Sequence, residues 1–96
     1  MSVFIVVQFT IHDSEKFETY AVKSRETIDQ FGGRVVARGT AEEIHGTASH
    51  PFGAILEFKD KKTALEWYRS DAYQALVPIR EESASTSFFL YEGFGV

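Results

Sequence analysis

Two arginines and a glutamate carry the strongest chemical signal in this chain: Arg34 and Arg38, spaced four apart in Arg-Val-Val-Ala-Arg, and Glu57 in Ile-Leu-Glu-Phe. Side chains alternate along a strand, so if each run is extended, Arg34, Arg38, Glu57 and Gln8 share one sheet face. Charged groups set among apolar ones are costly unless they are paired or face a wet cavity. Two readings follow. In the first, Arg34 and Arg38 hold a carboxylate or enolate oxygen of a small organic acid or aromatic molecule while Glu57 moves a proton. Trp67, Tyr68, Tyr73 and Arg80 would then rim that ligand pocket. In the second, the protein is a non-catalytic binding or interaction protein whose Arg/Glu network holds a dimer together and transforms nothing. His12, at the end of the first extended run, joins Glu57 and Arg38 as a candidate for acid–base work because its edge opens toward the same pocket.

Other chemistries lack their residues. There is no cysteine, which excludes thiol catalysis, thiolate zinc sites and a disulfide framework. His12, His45 and His50 show no His-x-His or His-Glu-x-x-His spacing, so no metal site is expected. No Gly-x-Ser-x-Gly elbow occurs. Gly32-Gly33-Arg34 follows a helical pattern instead of opening one, which makes it a helix stop and not a phosphate cradle. No cofactor is expected. Ninety-six residues with a net charge of −4 describe one domain, residues 1–96, that does not seek nucleic acid or anionic membranes. No apolar run is long enough to cross a bilayer, and the expected location is the cytoplasm.

The elements that would position these residues read as follows. Ser2 to Thr10 alternates, with Val3, Ile5, Val7 and Phe9 on one side and Phe4, Val6, Gln8 and Thr10 on the other. Asp13 or Ser14 caps a helix carrying Phe17, Tyr20, Ala21, Ser24, Ile28 and Phe31 at helical spacing, stopped by Gly32 and Gly33. Arg34 to Arg38 predicts a strand that continues weakly through Glu43, Ile44 and His45, and Phe52 to Lys59 a strand joined to it as a hairpin. Asp60 caps a second helix bearing Ala64, Leu65, Trp67 and Tyr68, which breaks at Ser70 and Asp71 before Ala72 to Leu76. Pro78 ends or kinks what precedes it, Ser83 to Ser87 is a small polar stretch, and Phe88 to Tyr91 forms the last strand, terminated by Gly93 and Gly95.

The order β-α-β-β-α-β is that of an α+β, ferredoxin-like fold with a four-stranded antiparallel sheet and both helices on one face. Two helices cover one face, yet Phe4, Val6, Val36, Ile55, Phe89 and Tyr91 belong to the other. Apolar area is worth roughly 25 cal/mol per Å², so that face calls for a cover, and a homodimer packed sheet to sheet, a dimeric α+β barrel, supplies one. The segments Gly32-Gly33-Arg34, Ala37-Arg38-Gly39, Glu57-Phe58, Trp67-Tyr68-Arg69-Ser70 and Tyr73-Gln74-Ala75-Leu76 with Arg80 resemble the domain-of-unknown-function family DUF1330, within the dimeric α+β barrel superfamily. The resemblance implies a ferredoxin-like protomer and a dimer, and no established activity.

Overall fold

The computed structural model describes residues 1–94, which leaves Gly95 outside the account. Strand β1 (Val3–Ile11) is followed by helix α1 (Ser14–Gln30), strands β2 (Arg34–Thr40) and β3 (Phe52–Phe58), three helical segments α2 (Lys61–Arg69), α3 (Asp71–Gln74) and α4 (Val77–Ser83), and strand β4 (Ala84–Glu92). The four strands form one antiparallel sheet in the order β2-β3-β1-β4. This is the ferredoxin-like α+β arrangement. Its Cα positions span 37 × 37 × 16 Å, the slab expected of one sheet and one helical layer.

Local chemistry fixes the helix ends. The Asp13 side chain accepts from the Lys16 amide, Asp60 from Thr63 and Ser70 from Tyr73, so three caps satisfy first-turn amides that would otherwise lack partners. At the end of α1, Gly32 adopts φ +71° and donates to the Asp29 carbonyl, while Gly33 passes so close to β3 that a Cβ would fall 2.5 Å from the Phe58 ring. Val3, Ile5, Val7, Phe9, Leu56 and Phe58 pack beneath Tyr20, Ile28, Ala64, Trp67 and Tyr73 to form the core.

Four expectations change. The stretch Glu43 to His45 is exposed loop and not a weak extension of β2, and Ile44 is 94% exposed. Pro78 opens α4 at its first turn instead of ending a helix, because that position needs no amide hydrogen. Ser83 closes α4 and β4 begins at Ala84, so the last strand takes in most of the small polar stretch expected to precede it at Phe88. The fourth change controls the site. Between Val35 and Ala37 the register of β2 slips by one residue: Val35 lies opposite Leu56 but Ala37 opposite Ile55, leaving Val36 as the extra residue of a β-bulge.

Candidate functional site

A bulge reverses the facing of every residue that follows it. Before it, Arg34 lies opposite Glu57 on the sheet face away from the helices, and its Nε donates to Glu57 Oε1 at 2.7 Å. A hydrogen bond from the Ser2 side chain, and then the bond and charge of Arg34, hold the Glu57 carboxyl below its ordinary value. A carboxylate with lowered proton affinity is a weak base. After the bulge, Arg38 lies opposite Ala54, and Ala54 lies opposite Val7 of the helix-side row. Arg38 is therefore on the helix side, and the expected grouping of Arg34, Arg38 and Glu57 around one pocket does not form.

Arg38 instead lines a hollow between the sheet and α1. Val7, Phe9, Ala54, Leu56 and Phe88 form its floor, and α1 contributes Phe17, Tyr20, Ala21, Ser24, Arg25 and Ile28, with Trp67 also in the wall. Tyr20, Ser24 and Trp67 are buried whereas Arg25 and Arg38 are exposed, so the hollow runs from a charged mouth to an aromatic interior. Its volume is about 80 Å³. Phe9, Phe17, Ala21 and Arg38 also line a shallower hollow of about 350 Å³, which Glu18 and Phe52 border. Among the described residues neither Arg25 nor Arg38 has an ion-pair partner, whereas Lys16, Arg34, Lys61 and Arg80 each face a carboxylate.

The remaining expected residues divide. Trp67 is in the cavity wall, and its indole nitrogen donates to Thr27 Oγ1 at 2.9 Å. Tyr68, Tyr73 and Arg80 do not line the cavity but form a cluster joined to its wall through Tyr20: Arg80 Nη1 donates to the Tyr68 and Tyr73 hydroxyls at 3.0 and 3.1 Å, and the Tyr73 and Tyr20 hydroxyls are 2.6 Å apart. His12 lines neither hollow and is exposed, with Nε2 2.8 Å from Ser85 Oγ. His50 Nδ1 pairs with Thr10 Oγ1 at 2.9 Å. Among the described residues no three His, Cys, Asp or Glu side chains gather as a metal site requires, and no helix is long and apolar enough to cross a membrane.

Sequence reasoning missed Arg25 and undervalued Tyr20. A signal existed for both. Arg25 is four residues after Ala21, on the flank of the apolar stripe of α1 where a long side chain reaches over the edge of the helix. Tyr20 lies within that stripe, and a buried phenol needs a hydrogen-bond partner.

Sheet, helical layer and cleft define a ferredoxin-like α+β protein with a polar-mouthed, aromatic-lined hollow under its long helix. Within that class the chain belongs to the family described as Domain of unknown function (DUF1330), which matches residues 2–94. Among solved structures it is similar to the RPA0582 protein of unknown function from Rhodopseudomonas palustris, with TM-score 0.80, 15% identity, and coverage of 99% of this chain and 84% of that one. It is also similar to SnoaB, a cofactor-independent oxygenase from Streptomyces nogalater, with TM-score 0.73, 14% identity, and coverage of 99% and 95%. A dimeric protein of unknown function and ferredoxin-like fold from Bacteroides fragilis gives TM-score 0.56 at 14% identity, covering 96% of each chain. No curated protein sequence matches the chain.

Proposed function

We propose that the chain binds a small organic acid with an aromatic or comparably apolar body in the cleft beneath α1, its carboxylate held by Arg25 and Arg38. One observation carries this reading: two exposed arginines without carboxylate partners stand at the mouth of a hollow walled by Phe9, Phe17, Tyr20, Trp67 and Phe88. Guanidinium groups favour planar anions, and apolar walls favour the body that carries one. A single ring occupies a cavity of roughly 150 Å³, so it spans the boundary between the deep hollow of about 80 Å³ and the shallow one of about 350 Å³. SnoaB supports the choice of cleft chemistry, since a protein of similar fold acts as an oxygenase without a cofactor.

Trp67 is the chain's single tryptophan, so its emission reports on the cavity alone. Titration with benzoate is expected to change that emission saturably, to weaken with added salt, and to lose its saturable phase when Arg25→Met and Arg38→Met are combined in a folded variant. Binding that ignores both substitutions, or no binding by benzoate and its ring-substituted relatives, overturns the reading.

For assembly we infer a homodimer through the opposite sheet face. Phe89 and Tyr91 are 49% and 60% exposed there, and Phe4, Val6 and Ile55 are half-buried beside them. Such a patch on one chain alone is an aggregation hazard, and the Bacteroides fragilis neighbour is dimeric. The Arg34–Glu57 pair belongs to this face and serves its register.

A further inference from the structure

Arg80 is a buried cation that the cleft reading does not use. Its side chain is 9% exposed, its guanidinium carbon lies 5.1 Å from the centre of the Phe88 ring, and its one carboxylate contact is the exposed Glu81 at 2.9 Å. Among the described residues its Nε has no hydrogen-bond partner. Burying a guanidinium this way is expensive, and the molecule directs the charge inward: Nη1 donates to Tyr73, and the Tyr73 hydroxyl meets the Tyr20 hydroxyl at 2.6 Å.

Either hydroxyl can donate across that contact, and the bond from Arg80 favours Tyr73 as the donor and Tyr20 as the acceptor, because a phenol that accepts from a cation becomes the stronger donor. The Tyr20 hydrogen is then free, with Ser24 one turn further along α1 beside it, and both residues line the cavity at its buried end. Resting on the proposal that the cleft holds an organic acid, we propose that its buried end is a donor site for a second ligand oxygen, with Tyr20 donating and Tyr73 and Arg80 positioning and polarising it. The ligand class narrows accordingly, to a carboxylic acid whose apolar body bears a carbonyl or enolate oxygen away from the carboxylate. Burial raises the Tyr20 phenol above its ordinary value, which keeps it protonated and makes it a donor and not a base.

The test compares two probes of nearly equal shape, formylbenzoate and methylbenzoate, each in its meta and para forms, by isothermal titration calorimetry on the full chain. Wild type is expected to bind at least one formyl isomer about fivefold more tightly than its methyl counterpart, the worth of one hydrogen bond. Tyr20→Phe should bring the formyl-to-methyl affinity ratio to about one, Tyr73→Phe should reduce that ratio, and Arg38→Met should weaken both probes alike and preserve it. If Tyr20→Phe does not fold, Tyr73→Phe and the wild-type ratio decide. Carboxylate-dependent binding with equal affinities, or a preference that survives Tyr20→Phe, overturns the donor site and leaves the cleft reading standing. Failure of every probe to bind wild type overturns both.

Discussion

The two faces of the sheet are built from the same kinds of residue and put them to opposite uses. On the helix side, Val7, Leu56 and Phe58 disappear beneath α1 and α2, and a charged residue, Arg38, stands at the edge of that layer without a partner. On the open side, Phe89 and Tyr91 remain exposed, and the charged residue, Arg34, is tied to Glu57 at 2.7 Å. Arg34 and Arg38 belong to one seven-residue strand, and a single extra residue, Val36, sends them to different faces. An unpaired arginine at a cavity mouth is available to a ligand; one already matched to a carboxylate contributes to shape and register.

Neighbouring residues of β3 test the division most severely. Leu56 is 5% exposed on the helix side, and Leu56→Ala should lower unfolding free energy by about 3 kcal/mol, read by urea titration. Ile55, next in the chain, lies opposite Val6 at the centre of the open face. Ile55→Asp should leave the protomer folded and weaken the dimer by about a hundredfold or more in sedimentation equilibrium; a wild-type chain that stays monomeric at micromolar concentration would remove the open-face proposal. Smaller still is the effect expected of Glu18→Gln at the edge of the shallow hollow. Removing that negative charge should tighten benzoate binding by about twofold, since exposed charges interact weakly.

The Arg34–Glu57 pair gives the smallest effect, with a definite sign. Because the folded-state value of Glu57 is lowered, its contribution to stability is present above the ordinary carboxylate range and is lost as pH falls through and below that range. Glu57→Gln should therefore flatten the acid limb of the stability–pH curve, by lowering stability slightly at neutral pH where the contribution is present and converging with wild type at low pH, with no change in benzoate affinity.

Much of this was legible in the sequence, for reasons that are local. Apolar alternation in β1 and β4 assigns the correct face to Ile5 and Phe4, or to Phe88 and Phe89, because each strand runs without interruption from end to end. Asp13, Asp60 and Ser70 announce helix starts because capping is short-range chemistry. The family resemblance likewise rests on segments that the family match covers. The bulge left no such mark. Arg-Val-Val-Ala-Arg alternates equally well with or without a slipped residue, and the slip is set by pairing with β3, a partner that a one-dimensional count does not see. That single slip separated Arg38 from Glu57 and hid Arg25, whose relevance depends on Arg38 being beneath α1. The misreading of Glu43 to His45 has a similar origin, since a short apolar–polar alternation predicts a strand only where another strand is there to pair with it.

The facing of Arg38 is the claim on which the cleft stands, and it is tested most directly by benzoate titration of the wild-type chain, Arg38→Met and Arg34→Met side by side. Arg38→Met is predicted to weaken binding about tenfold, while Arg34→Met stays within about twofold of wild type. Equal losses in the two variants, or a loss confined to Arg34→Met, would contradict the bulged register and the site built on it.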